Sequence, residues 1–232
     1  MLDFKRFEWV SFDCYGTLVD WESGICRAVS EVLRAHGVRR SRGEILALFA
    51  DIEPKVQKSE TYRTYRRVLR RVMAEMGDAL GIRCSDTELN CLADSLADWP
   101  IFPEVREALR ALQTRYRLAV ISNVDDALFA GTAEALSVDF DAVVTAEQAR
   151  SYKPDRRNFD LAATRMGVET DAWLHVAESL FHDIGPANQL GIASVWVNRE
   201  GRGGGTQRID AVADLVVSDL GELAGLAGLA QG

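Results

Sequence analysis

Five polar residues follow short apolar runs along this 232-residue chain. Asp13 follows Val10-Ser11-Phe12, Ser122 and Asn123 follow 118–121, Lys153 comes beyond 142–144, and Asp183 comes beyond 174–177. Together they supply two carboxylates, a hydroxyl, a carboxamide and an ammonium. Continuous apolar runs of this length read as buried parallel strands, and open α/β sheets bind ligands beyond the carboxyl ends of their strands. Taken singly, each residue has a plainer reading: Asp13 caps the turn at Gly16-Thr17, Ser122 and Asn123 form a turn, Lys153 is a solvated charge, and Asp183 caps a helix. Their shared position at strand ends favours a site.

The elements that must position them divide the chain in two. Between Trp21 and Trp99 the apolar spacing is helical, with stripes at Ile25, Val29, Val32 and Leu33, at Ile45, Leu46, Phe49 and Ile52, at Tyr65, Val68, Leu69, Val72 and Met76, and at Leu89, Leu92 and Leu96. Gly37, Pro54 and Gly81 fall between these stripes or near their ends, as helix breakers do. After Trp99-Pro100-Ile101-Phe102-Pro103, helical stretches alternate with short apolar strands at 118–121, 142–144, 174–177, 193–197 and 215–217. That alternation predicts an α/β fold, a doubly wound parallel-sheet (Rossmann-like) core with an inserted helical cap domain. The expected bounds are 1–20 and 99–232 for the core and 21–98 for the cap. The cap leaves the core just after Asp13 and Thr17, so it is expected to lie over them as a water-excluding lid. The glycine-rich stretch 201–205 lacks the spacing of a dinucleotide-binding loop and reads as a flexible connection.

A formal net charge of -8 argues against nucleic acid or an anionic membrane surface as partner. Cys14, Cys26, Cys84 and Cys91 have neither C-x-x-C spacing nor neighbouring histidines, which fits free thiols in a reducing cytoplasm. The N-terminus has no apolar signal core, and no run reaches the 18 apolar residues of a membrane span. A cytoplasmic location is expected.

In order along the chain, the motifs resemble those of the haloacid dehalogenase superfamily. Asp13-Cys14-Tyr15-Gly16-Thr17 is similar to its first motif and Ile121-Ser122-Asn123 to its second. Tyr152-Lys153-Pro154-Asp155 is similar to the third, and Glu178-Ser179-Leu180-Phe181-His182-Asp183 to the fourth. The resemblance implies that Asp13 is a nucleophile forming a covalent ester or acyl-phosphate that water hydrolyses. Lys153 would then keep Asp13 ionised, and Ser122, Asn123 and Thr17 would bind the anionic group of a small-molecule substrate. Asp183 would hold Lys153, activate water or bind a metal. A homodimer is the implied assembly.

Position 15 divides the superfamily. Its phosphatases carry a second aspartate there as general acid, whereas this chain has Tyr15, similar to the L-2-haloacid dehalogenase branch. Halide leaves without a proton, so that acid is dispensable. On this reading Asp13 displaces halide from a short 2-haloacid without a cofactor, and Tyr15 contacts substrate. Three positions depart from that branch. The stretch 47–50 lacks its carboxylate-binding arginine, Phe159 stands for a tyrosine, and Glu178 and Leu180 stand for serine and asparagine. A replacement cation is sought among Lys58, Arg63, Arg66 and Arg67, with Arg66 the choice. Glu178 keeps a second reading open, in which Asp13, Glu178 and Asp183 hold Mg2+ in a phosphatase acting on a small phosphoester.

Overall fold

The computed structural model describes residues 2–58, 61–199 and 209–229, so the glycine-rich stretch 201–205 lies outside the described residues. Six parallel strands form one sheet: β1 (Trp9–Phe12), β2 (Arg117–Ser122), β3 (Ala142–Thr145), β4 (Trp173–Ala177), β5 (Ala193–Val197) and β6 (Leu215–Val217). Their order is β3-β2-β1-β4-β5-β6, the doubly wound arrangement expected from the alternating pattern. The chain winds from β1 one way to β3 and then resumes at β4 on the other side. The crevice therefore opens beyond the carboxyl ends of β1 and β4. Side chains alternate across the sheet. Val10, Phe12, Val120 and Val176 join one core, while Trp9, Ala119, Ile121 and Trp173 join the other.

Between β1 and β2 the chain forms α1 (Trp21–Ala35), α2 (Arg42–Gln57), α3 (Tyr65–Leu80), α4 (Asp86–Leu89) and α5 (Cys91–Asp94), then a 3-10 turn at Leu96–Asp98. Asp20 caps α1 by accepting from the Ser23 N–H, and Ser41 with Glu44 forms a capping box on α2. The fourth apolar stripe is not one helix. Ser85 and Glu88 cap a single turn, and the Asn90 side chain then donates to the Asp86 carbonyl at 2.8 Å, so local side-chain bonds divide it. Pro54 lies inside α2, one turn before its end, where it removes the donor to the Ala50 carbonyl without stopping the helix.

The remaining helices are α6 (Val105–Gln113), α7 (Asp126–Leu136), α8 (Ala146–Ala149), α9 (Arg157–Met166), α10 (Gly185–Leu190) and α11 (Leu220–Leu226). A wide π turn at Leu180–Ile184 precedes α10. No helix among the described residues is long and apolar enough to cross a membrane.

Two connections join the α1–α5 block to the sheet, and they pair with each other. The Asp20 N–H donates to the Pro100 carbonyl at 2.7 Å and the Phe102 N–H to the Leu18 carbonyl at 3.1 Å. A second junction forms on the far side. Asp125, in the turn after β2, makes no side-chain bond to its own helix α7. Its carboxylate instead accepts the Tyr65 and Arg66 N–H groups at 2.6 and 2.8 Å. Thr64, which precedes α3, supplies no side-chain cap of its own. A residue of the sheet domain thus satisfies the free N–H groups that begin α3.

Candidate active site

Asp13 leaves the end of β1 with its N–H bonded to the Val176 carbonyl of β4. Its Oδ2 accepts from Thr17 Oγ1 at 2.9 Å, and its Oδ1 accepts from Lys153 Nζ at 2.9 Å. Thr17 Oγ1 in turn accepts the Glu178 N–H at 2.9 Å, which fixes its own proton toward Asp13. The Lys153 ammonium spends all three protons: on Asp13, on Asp183 Oδ1 at 2.6 Å and on the Ile121 carbonyl at 2.8 Å. Asp13 is 7% exposed, Lys153 1% and Asp183 0%, so this is a buried triad of two carboxylates sharing one cation.

The sharing is unequal. Burial raises Asp13, Lys153 pulls it back, and Asp183 raises it again, with a net position above the usual carboxylate range. The expectation that the Lys153 charge keeps the Asp13 pKa low is therefore corrected: desolvation and the second carboxylate outweigh it. Burial would also raise Asp183, but Lys153 and a hydrogen bond from His175 outweigh that and hold it low. Both aspartates keep Lys153 charged despite its burial.

Asn123 contributes differently from expectation. Its Oδ1 accepts the Lys153 N–H at 2.7 Å and its Nδ2 donates to the Lys153 carbonyl at 3.1 Å. Its amide thus clamps the main chain that carries the ammonium. Ser122 is fully buried, and its Oγ has no hydrogen-bond partner among the described residues. Tyr15 turns its hydroxyl to Thr132 Oγ1 of α7 at 2.9 Å and its ring edge-on to Trp99, with centroids 5.9 Å apart.

A cavity of about 700 Å³ lies over this group, between the sheet edge and α1–α3. Asp13, Tyr15, Lys153, Glu178 and Asp183 line its floor, and Phe49, Ala50, Glu53 and Tyr65 its roof. Arg66 is not part of it. Its guanidinium turns away to Asp94 at 2.5 Å on the surface, because the inward face of α3 is occupied by Val68, Leu69, Val72, Met73 and Met76. Of the four cap cations considered, only Lys58 lines this cavity, while Arg63 lines a separate groove. Arg150 and Arg157 also line it; the first stacks over the Tyr62 ring and the second pairs with Asp155 at 2.9 Å.

Two of the cavity's carboxyl groups hold their protons tightly. Burial alone pushes Glu53 up to about 7. Burial and then Asp13, Asp183 and Glu22 push Glu178 up to about 7 against the pull of Arg199. Burial also lowers His182 to about 4, so it is neutral near pH 7. Ser179 Oγ accepts the His182 N–H and lies 3.2 Å from Nδ1.

The Mg2+ reading fits these residues poorly. Lys153 already neutralises Asp13 and Asp183 from between them, and Glu178 is shifted toward its neutral form. Among the described residues no three His, Cys, Asp or Glu side chains converge as a metal site.

Sequence reading missed a buried thread behind Asp183. Trp173 Nε1 donates to Ser11 Oγ at 2.7 Å, Ser11 Oγ lies 2.7 Å from His175 Nδ1, and His175 Nε2 lies 3.0 Å from Asp183 Oδ1. The available signal was two polar residues, Ser11 and His175, inside otherwise apolar strands. It also missed Glu53 and the reach of Asp125 to α3.

The haloacid dehalogenase-like hydrolase family model matches residues 7–191. Haloacetate dehalogenase H-2 of Moraxella sp. (strain B) is 28% identical over 213 residues, covering 85% of this chain and 88% of that protein. The (S)-2-haloacid dehalogenase of Pseudomonas sp. (strain YL) is 30% identical over 205 residues, covering 83% of each. Among solved structures, L-2-haloacid dehalogenase from Xanthobacter autotrophicus with chloropropionic acid covalently bound superposes with a TM-score of 0.81. Its identity is 22%, over 96% of this chain and 98% of that one.

Proposed function

The chain belongs to the haloacid dehalogenase-like hydrolases, and on that premise we propose that it is a 2-haloacid dehalogenase that works without a metal. The observation that carries this reading is Tyr15, two residues past the nucleophile. Its hydroxyl is engaged by Thr132, so no carboxylic acid stands ready there to protonate an alkoxide. An oxygen of Asp13 attacks C2 of a short 2-haloacid, and the carbon–halogen bond breaks with its electron pair leaving on the halide. Water then attacks Cγ of the Asp13 ester. Its proton passes to Asp183, the bond from Cγ to the substrate oxygen breaks, and that oxygen takes the proton as the 2-hydroxy acid leaves.

In this scheme Thr17 orients Asp13, Lys153 keeps the nucleophile's charge balanced, and Asn123 fixes Lys153. Tyr15 walls the substrate, and the Ser122 hydroxyl and the His182 imidazole are the donors assigned to its carboxylate. Helices α1–α5 serve as the cap, held at both ends by the Asp20–Pro100 pairing and by Asp125. Free thiols at all four cysteines suit a cytoplasmic enzyme, and a homodimer is the assembly the family resemblance implies.

The test follows halide release from 2-chloropropionate and haloacetates beside phosphate release from a generic phosphoester, each with Mg2+ and with EDTA. Halide release that survives EDTA and disappears in Asp13→Asn is expected. Phosphate release that needs Mg2+, with no halide released, would refute the proposal.

A further inference from the structure

The thread from Trp173 to Asp183 is costly to bury unless every polar group in it is paired, and nothing in the packing of two apolar strands requires it. Ser11, Trp173 and His175 are at most 1% exposed. Ser11 of β1 stands opposite His175 of β4 in the parallel register, at the boundary where the winding of the sheet reverses. The His175 and Phe159 rings pack T-shaped, with centroids 5.2 Å apart, and this closes the other side.

The direction of each hydrogen bond follows from the donors available. An indole nitrogen only donates, so Ser11 Oγ accepts from Trp173. The single Ser11 proton then has His175 Nδ1 as its acceptor. That leaves Nδ1 unprotonated, puts the imidazole proton on Nε2 and aims it at Asp183 Oδ1. An imidazolium would leave the Ser11 proton with no acceptor in a site closed to solvent. Two donors, His175 and Lys153, thus converge on one oxygen of Asp183, while Oδ2 has no hydrogen-bond partner among the described residues.

We propose that His175, backed by Ser11 and Trp173, is a positioning residue for hydrolysis of the Asp13 ester. It pins Oδ1 of Asp183 so that Oδ2 is the oxygen left to take the proton of the attacking water. This deepens the dehalogenase reading and rests on it for the identity of the ester. Without His175, Lys153 alone holds the carboxylate, which is then free to turn Oδ2 toward the ammonium and away from the water. The first step, displacement of halide by Asp13, does not use Asp183 Oδ2 and is spared.

The full-length protein is tested as His175→Phe, which removes the donor, and as His175→Gln, whose amide can donate to Asp183 and accept from Ser11. Rapid quench with 2-chloropropionate reads the halide burst, and mass spectrometry reads ester on the Asp13 peptide. His175→Phe is expected to release close to one equivalent of halide per site at the wild-type rate. Its steady turnover should fall about 10- to 100-fold, less than the roughly 100- to 10,000-fold that a general base supplies because the base is misplaced and not removed, and the ester should accumulate. His175→Gln should recover most of the turnover. Burst and turnover falling together in His175→Phe, or no recovery in His175→Gln, would overturn the proposal.

A second measurement depends on neither the fold of the His175 variants nor the substrate. The imidazole 15N spectrum of the wild-type protein should show His175 neutral with its proton on Nε2, and Asp183→Asn should shift that signal. A proton on Nδ1, or on both nitrogens, overturns the proposal. Wild-type protein that releases no halide at all refutes the dehalogenase reading, and the tautomer then still decides the arrangement at His175.

Discussion

Replacing Glu178 with glutamine should make the protein more stable in alkali and leave it unchanged in acid. The Glu178 carboxyl sits against the turn after Asp13, where a Cβ added to Gly16 would lie 3.3 Å from its Oε2. Burial first, and then the repulsion of Asp13, Asp183 and Glu22, raise it from an ordinary 4.5 to about 7. Below pH 4.5 the group is protonated in both folded and unfolded chains and contributes nothing. Between 4.5 and 7 the unfolded chain gives up the proton while the folded chain keeps it, so stability falls as pH rises. Above 7 the folded state carries the whole penalty, about 3 kcal/mol at about 1.4 kcal/mol per pH unit. A glutamine amide at this position cannot ionise and escapes it. Urea unfolding of both proteins at a series of pH values from 4 to 8.5 should give curves that agree in acid and diverge by up to about 3 kcal/mol above neutrality. Glu53, which is raised in both proteins, cancels from the difference. Halide release in EDTA should persist in the variant. A stability difference that does not change with pH would refute the electrostatic argument, and loss of a Mg2+-dependent activity would restore Glu178 as a ligand.

Lys153→Met leaves two buried carboxylates without their cation; it should cost about 3–5 kcal/mol at neutral pH in denaturant unfolding and abolish halide release. Adding Asp183→Asn should recover much of that stability and none of the activity. Asp125→Ala removes the carboxylate that caps α3 from the sheet domain. It should lower stability by about 1 kcal/mol and raise KM more than it changes kcat, in steady-state halide assays. In Gly24→Ala the new Cβ would fall 2.3 Å from the Trp99 ring, at the junction of α1 with the return connection. The substitution should lower the melting temperature, through overpacking of about 1–3 kcal/mol, without touching the triad.

Local pattern along the chain was enough for the strands, since a run such as 118–121 is buried on both faces and reads as continuously apolar whatever it packs against. It also sufficed for the alternation that dictates winding, and so for which residues emerge at the carboxyl edge. Asp13, Lys153 and Asp183 follow from that, because a parallel sheet with right-handed crossovers brings all its strand ends to one side. The helices of the 21–98 stretch were legible as stripes. The break at Asn90 was not, because it depends on one side chain winning a carbonyl from the helix.

What the stripes could not say is which way the flanking polar residues point. Arg66 is adjacent to the inward face of α3 in sequence, but that face is filled by Val68, Leu69 and Val72, and the guanidinium is left to Asp94. Asp125 reads as the cap of the helix it begins, yet the donors it satisfies lie 59 and 60 residues earlier, on α3. Ser11 and His175 are 164 residues apart and meet only through the register of β1 on β4. The protonation of the site belongs to the tertiary structure as well. Charges were countable in the sequence, but folding withdraws water from Asp13, Glu53, Glu178 and Asp183 and gives the innermost two a single ammonium to share, so that burial raises the first three while Lys153 and His175 hold Asp183 low against it.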